Sequence, residues 1–573
     1  MNFSDLRKNL KRDFTPFPAV SCAILGDSAT QFLSEALRGY GYEIKAKFDI
    51  YEAEFGQIEQ EVFNPSSKLF ESNPDFIIIA RSVQKLWRDF ASRERTRQQN
   101  FAVDHLEKAK SLFSAIRSAR PTKIIYFNFP EVLDSVFGNY ANNIDSSFLH
   151  QVRKINLGLM NVCMDFPGVS VNDVAALSTL HGYGFSVDEK LYVNADMVFS
   201  LDFLPVLAKN LADIIQAGKG YFKKCLILDL DNTLWGGVVG EDGLEKIQIG
   251  HLGTGKAFTE FQLWIKQLKN RGIILAVCSK NDDVQAREPF EKHPDMVLKL
   301  EDFALFCANW ENKSDNIRYI QSVLGIGFDS MVFLDDSRFE RNLVRTQIPE
   351  ITVPELPEDP ADYVAFLRLQ NLFETASFTK EDEQRSGQYR QEAQRKIAQE
   401  RFVSEEDYLR SLEMVSIVKP FDAFSVPRIA QLTQRSNQFN LRTVRYSEED
   451  IQSIMTSDRH ATLSFSLADV YGDYGLTGVV ILEKREHALF IDTWIMSCRV
   501  LKRGLELCML ANMVECARLN NAGLLVGEYI PTPKNGMVKN LYETMGFRQD
   551  GSQHVLETAG FVEKKHLIRI VKG

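Results

Sequence analysis

The stretch Leu226-Ile227-Leu228-Asp229-Leu230-Asp231-Asn232-Thr233-Leu234 runs an apolar strand into two carboxylates one residue apart. Open α/β sheets bind their ligands beyond the carboxyl ends of parallel strands, so the pattern predicts such a sheet with Asp229 and Asp231 at its edge. Two later apolar runs end in the same way, in Cys278-Ser279-Lys280-Asn281 and in Leu334-Asp335-Asp336-Ser337. Between them Asn312-Lys313-Ser314 opens a helix. Parallel strands place these ends on one side of one sheet. Several carboxylates at close quarters do not all stay ionised without a cation, and oxygen donors suit Mg²⁺. Asp229, Asp231, Asp335 and Asp336 are the expected ligands, with either Asp335 or Asp336 completing the shell. The chemistry expected is phosphoryl transfer through an aspartyl-phosphate. Asp229 attacks phosphorus, and Asp231 protonates the leaving oxygen and later takes a proton from water. Ser279 and Lys313 hold the phosphoryl oxygens, and Thr233 completes the catalytic set.

At roughly 150 residues per domain, 573 residues suggest three or four domains. Lys and Arg number 67 against 77 Asp and Glu, a formal net charge of −10, which offers no basic surface for a nucleic-acid backbone. The 40 Phe residues argue against extensive disorder. Met1 to Lys8 lacks the pattern of a signal peptide, and no run approaches the ~18 apolar residues of a membrane span. A cytoplasmic protein is expected. The eight cysteines include no CxxC pair, so most read as buried small hydrophobes rather than zinc ligands.

Apolar runs at 20–25, 76–80, 123–127 and 197–201 alternate with helical stretches, the pattern of a parallel α/β domain. A second α/β pattern has strands at 225–228, 273–278 and 331–334. Residues 361–413 read as a solvated helical connector, and 414–573 as α+β. The expected domains are 1–218, 219–358, a connector at 359–413, and 414–573.

The ordered acidic motifs resemble the haloacid dehalogenase (HAD) superfamily. Trp235 to Gly243, Ala276 to Asn281, Asn309 to Lys313 and Phe333 to Arg341 are similar to the FkbH-like group, subfamily IIIC. The resemblance implies a Mg²⁺-dependent enzyme that takes 1,3-bisphosphoglycerate, removes phosphate, and delivers a glyceryl unit to the phosphopantetheine thiol of an acyl carrier protein. Only about 50 residues separate Asp229 from Ser279. That leaves no room for a large cap, and an open site suits a protein-borne thiol. Action on another phosphorylated metabolite, in polyketide or surface-polysaccharide biosynthesis, and a non-enzymatic scaffold are the competing readings.

Ile491 to Glu506, with Leu541 to Phe547, resembles the GNAT acyltransferase fold over about 160 residues. Arg499, Arg503 and Gly504 would bind a phosphate-bearing cofactor at a helix start. Glu506 stands where that family's pyrophosphate loop has a second glycine, which points away from acetyl-CoA and toward a phosphopantetheine-borne partner. Arg428 to Asn440 also matches the FkbH-like pattern, either as a capped helix and turn or as a source of amides for the glyceryl hydroxyls or the pantetheine arm. A thioester relay would use Cys498, in an electropositive setting, or Cys278, beside Ser279; direct transfer is the alternative. With an acidic chain, carrier docking would be confined to a small basic patch at Arg499, Lys502 and Arg503 and would weaken with salt.

Ile24-Leu25-Gly26-Asp27-Ser28 resembles the first block of SGNH hydrolases, in which the Ser is a nucleophile. Ile79-Ala80-Arg81 replaces the expected Gly-x-Asn, and no Asp-x-x-His occurs between 150 and 215. A Ser without a base is not activated. The expected domain is a degenerate SGNH-like three-layer α/β/α unit, with Ser28 capping its first helix. The fold class is thus this unit, a HAD Rossmann-like parallel sheet without a large cap, and a GNAT-like α+β domain.

Overall fold

A computed structural model describes residues 1–573 apart from Pro121, Thr379, Ser436, Asn437, Pro533 and Lys534. The side chains of Lys380, Glu381, Arg435 and Cys498 are also outside it. The chain forms two compact units, Met1–Gln321 with Ile326–Ser386, and Ser322–Gly325 with Gly387–Gly573.

The first unit holds two parallel sheets. Strands β1 (Ala19–Gly26), β2 (Lys47–Glu52), β3 (Phe76–Ala80), β4 (Lys123–Phe127) and β5 (Val169–Asn172) pair in the order β2-β1-β3-β4-β5. Every residue of β3 is buried, because helices cover both faces of a parallel sheet and its central strands carry unbroken apolar runs. Two strands were not legible. Lys47–Glu52 alternates charge with apolar residues at the sheet edge, and Val169–Asn172 is four residues long. The run at 197–201 is not a strand; Phe199 makes one isolated bridge to Val187. Ser28 does not cap the first helix of this sheet. That helix, Gln31–Gly41, has Thr30 at its N-cap without a side-chain bond, and the Thr30 hydroxyl donates to Glu52 at 2.7 Å. A Cβ on Gly26 would lie 2.6 Å from the Ser28 carbonyl oxygen, so the turn after β1 requires glycine.

The second sheet pairs β6 (Cys225–Leu228), β7 (Ile274–Ser279), β8 (Phe303–Ala308) and β9 (Met331–Leu334) in the order β8-β7-β6-β9, all parallel. β6, β7 and β9 are buried throughout. β8, an edge strand entered from Glu301 and Asp302, is not among the strands the sequence pattern predicts. Between β6 and β7 lie only the one-turn helix Val239–Asp242 and the helix Gly253–Asn270, so the sheet carries no large cap. Leu226, Trp235, Phe261, Leu275 and Leu334 share its core with Tyr363, Leu367 and Phe373.

Residues 361–413 are helical as expected, but they are not simply solvated. Tyr363 and Leu367 enter the core just described, and the Ser386 hydroxyl donates to the Ile273 carbonyl at 3.1 Å. Helical spacing sets these apolar residues on one face of charge-rich segments, where a count of charges conceals them.

The second unit is α+β. Its strands are β10 (Val415–Lys419), β11 (His460–Asp469), β12 (Gly472–Arg485), β13 (Ala488–Met496), β14 (Leu524–Glu528), β15 (Arg548–Asp550), β16 (Gln553–Glu557) and β17 (Arg569–Lys572). They pair in the order β15-β16-β14-β13-β12-β11-β10-β17, with β13·β14 and β10·β17 parallel and the rest antiparallel. The helix Leu505–Leu519 packs Cys508, Met509 and Met513 into the core. Two single turns, Gly536–Val538 and Leu541–Thr544, follow β14.

In this unit Arg395 forms a two-pronged pair with Asp469, Nε to Oδ2 at 2.7 Å and Nη2 to Oδ1 at 2.8 Å, and Asp469 is 0% exposed. Arg395→Met would leave that buried carboxylate with the Tyr471 and Gly472 amides, the Tyr474 hydroxyl and, for a cation, Arg503 at 3.8 Å. Losing one partner of a buried pair costs ~3–5 kcal/mol. The urea transition of this unit is expected to shift down accordingly, and Arg395→Met with Asp469→Leu to recover much of the loss.

Candidate active site

The four strand ends of the second sheet converge. Asp229 follows β6, and its amide donates to the Leu334 carbonyl at 3.0 Å. Lys313 begins the helix Lys313–Leu324 after β8, and reciprocal Asn309–Asn316 side-chain bonds of 3.1 and 2.8 Å pin that helix to the strand end. Its ammonium lies 2.9 Å from Asp229 Oδ2 and 2.5 Å from Asp335 Oδ2. Lys313 is 4% exposed and Asp335 0%. Burial opposes the charge on Lys313, but Asp229 and Asp335 outweigh it and hold its pKa above the ordinary lysine value. Burial, reinforced by Asp229, pushes Asp335 well above the usual carboxylate range.

Asp229, Asp335 and Asp336 offer one oxygen each, all within 4.8 Å of one another. Three hard oxygen donors at this spacing fit a Mg²⁺ ion, which takes oxygen ligands in a compact octahedron. Thr233 braces the third: its hydroxyl lies 3.4 Å from Asp336 Oδ1 and accepts from the Asp336 amide at 3.1 Å. The Ser337 amide donates to Asp335 Oδ1 at 2.8 Å. Arg341 donates to the carbonyls of Asp335 and Asp336 at 2.8 and 2.6 Å, which fixes the turn that presents both acids.

The carboxylate of Asp231 is not in this trio. Trp235 Nε1 and the Val239 amide donate to Oδ1 at 2.9 and 3.0 Å, and Asn281 Nδ2 donates to Oδ2 at 3.0 Å. Burial nonetheless raises its pKa. Asn232 at φ +53°, with its side chain accepting from the Gly237 amide at 2.9 Å, reverses the chain here. Trp235 and Asn281 were quoted in the sequence motifs without a role; only the folded turn brings the indole, the amide and Asp231 together.

Ser279 ends β7 and is buried. Cys278 is buried, its thiol contacts the Lys313 carbonyl at 3.6 Å, and burial pushes its pKa well above the ordinary thiol value. The other expected carrier, Cys498, has its side chain outside the described residues.

In the second unit, Gly504 is the left-handed N-cap of Leu505–Leu519 at φ +81°, and Arg499 and Lys502 are exposed. Arg503 does not join them. It lies 3.7 Å from Glu392 and 3.8 Å from Asp469 and packs over the Tyr474 ring, so its charge serves the buried network of Arg395. Of Arg428 to Asn440, Ser436 and Asn437 are outside the described residues. The helix Val426–Arg435 buries Ile429 and Leu432 in the core, and Asn440 accepts from Thr443 and Asn535.

Residues 21–216 match the FkbH N-terminal domain family. A crystal structure of the N-terminal part of the protein BF1531 from Bacteroides fragilis, containing a phosphatase domain complexed with Mg, is 49% identical; the match covers 66% of this chain and 100% of that one, with a TM-score of 0.64. The chain belongs to the same family as this phosphatase-domain protein. Its parallel-sheet site with Asp229, Lys313 and Asp335 is accordingly of the HAD phosphatase type. No curated protein matches. The ribosomal-protein-S18-alanine N-acetyltransferase from Escherichia coli is 14% identical over 26% of this chain and 99% of that one, at a TM-score of 0.21. A GNAT-family acetyltransferase from Desulfovibrio desulfuricans is 15% identical over 25% and 99%, also at 0.21. Likenesses this slight carry no functional argument. No helix among the described residues is long and apolar enough to cross a membrane.

Proposed function

We propose that the chain is a Mg²⁺-dependent phosphatase of the HAD type that acts in glyceryl transfer, taking 1,3-bisphosphoglycerate and loading the glyceryl unit onto the phosphopantetheine thiol of an acyl carrier protein. The observation that carries the phosphatase part is the buried Lys313 ammonium between Asp229 and Asp335, with Asp336 alongside. That arrangement has no packing purpose that apolar residues would not serve as well. The family's Bacteroides member, described as complexed with Mg, supports the choice of ion.

Asp229, Asp335 and Asp336 would hold the metal, which when bound neutralises phosphoryl charge. Asp229 Oδ forms a bond to the phosphorus of the C3 phosphate ester as its bond to the C3 oxygen breaks; the acyl phosphate at C1 is kept, and the carrier thiolate attacks the C1 carbonyl carbon and displaces that second phosphate to form the thioester. Asp231, protonated more readily than an ordinary carboxyl because it is buried, gives the leaving oxygen its proton. Water then attacks phosphorus, Asp231 takes the proton, and Asp229 and inorganic phosphate are released. Lys313 and Ser279 hold the phosphoryl oxygens, and Thr233 keeps Asp336 in place. The absence of a large cap between β6 and β7 supports a substrate or acceptor borne by another protein. The division at 218, 358 and 413, a cytoplasmic setting, and contact of Arg499 and Lys502 with the carrier belong to the same reading.

The deciding experiment mixes purified protein, Mg²⁺, 1,3-bisphosphoglycerate and a holo carrier protein and weighs the carrier. A glyceryl mass shift is expected; phosphate release without it leaves a phosphatase acting on another metabolite, and no release at all leaves a scaffold. In the same assay Cys498→Ala is expected to abolish a glyceryl adduct on the enzyme. Undiminished carrier loading both by that variant and by Cys278→Ala would establish direct transfer.

A further inference from the structure

The strand order of the first sheet, β2-β1-β3-β4-β5, reverses direction between β1 and β3. Ligands of open parallel sheets sit at such a reversal, outside the carboxyl ends of the strands. Here those ends carry Asp27 and Arg81, and a cavity of about 130 Å³ opens between them, lined also by Lys85, His105, Lys108 and Tyr126. This is several times the space one water needs.

The lining is built for a small anion. Arg81 Nη2 pairs with Glu59 at 2.6 Å, while its Nε is buried without a hydrogen-bond partner. A buried donor left unpaired in the protein alone calls for a missing acceptor. The Tyr126 hydroxyl, 1% exposed, lies 3.0 Å from His105 Nε2. Lys108 has no ion-pair or hydrogen-bond partner among the described residues and is exposed at the cavity. Lys85 is held by Asp196 at 2.7 Å. Of the two carboxylates that line the cavity, Asp89 pairs with Arg93 at 3.4 Å, and Asp27 is occupied by the Ser82 amide, 3.1 and 2.9 Å from its two oxygens. Burial raises its pKa to about 6.

We propose that this cavity binds a small oxyanion, a phosphate or a carboxylate, through Arg81, Lys108 and Tyr126. The site is separate from the phosphatase centre and does not rest on that reading. Isothermal titration of the full chain in EDTA, with inorganic phosphate in one arm and acetate in the other, tests it. Saturable binding is expected in at least one arm, and the arm that binds identifies the anion. Arg81→Met and Lys108→Ala should each weaken it about tenfold or more, whereas Asp229→Asn should bind as the wild type does. Because Lys108 is exposed, its variant keeps the test valid even if Arg81→Met does not fold. Absence of saturable heat in both arms, equal heats in the Lys108 variant, or loss of binding in Asp229→Asn overturns the proposal.

Discussion

Asp229→Asn is expected to lower Mg²⁺-dependent phosphate release by roughly 10⁴-fold or more, a loss of ~5 kcal/mol or more of transition-state stabilisation. An amide oxygen is a poor nucleophile toward phosphorus and carries no charge to share with a cation. The substitution is nearly isosteric, and Lys313 keeps its bond to Asp335, so the fold should survive. A colorimetric phosphate assay on an acyl or ester phosphate, beside a circular dichroism melt, separates the two effects. Activity within tenfold of the wild type would remove Asp229 from the nucleophile's role and with it the covalent route. A wild-type protein that releases no phosphate from any substrate would favour the scaffold.

Lys313→Met has the second large effect, and it splits into two measurements. The ammonium touches both Asp229 and Asp335, and removing a preorganised charge from a buried site costs about 10²–10³ in rate. Stability should fall as well, since taking away one partner of a buried ionic group costs ~3–5 kcal/mol. The loss should lie toward the lower end, because Asp335 is already pushed upward by burial and by Asp229 and takes up a proton readily. Mg²⁺ should raise the melting temperature of the variant more than that of the wild type, because the ion replaces the missing positive charge among three carboxylates. Equal metal-induced shifts in the two proteins would show that the acidic trio is not the metal's site.

Much of the phosphatase site was legible because Asp229, Ser279 and Asp335 stand at strand ends. Apolar runs of four to six residues closed by Asp229, Ser279 or Asp335 signal buried parallel strands, and parallel pairing then forces the ends together. The edge strand Lys47–Glu52 and the four-residue Val169–Asn172 escaped because neither is an unbroken apolar run. Asp231 illustrates the other limit. Its spacing from Asp229 is plain in sequence, but which way its carboxylate turns depends on Trp235 Nε1, the Val239 amide and Asn281. Arg503 shows the same limit: it stands at a helix start in the sequence, but only the fold sets it beside Glu392, Asp469 and Tyr474.

By itself the amino-acid sequence determined the α/β and α+β classes, the acidic strand ends, and the short passage from Asp229 to Ser279 that leaves no large cap. These follow from local pattern, since strand polarity and chain length suffice to place them. Only the tertiary structure decided which carboxylates lie within reach of one another, that Cys278 is buried against the Lys313 carbonyl, and that Asp27 and Arg81 line one cavity. Those outcomes depend on distances between residues far apart in the chain and on the removal of water around them, and neither is encoded in spacing along a strand.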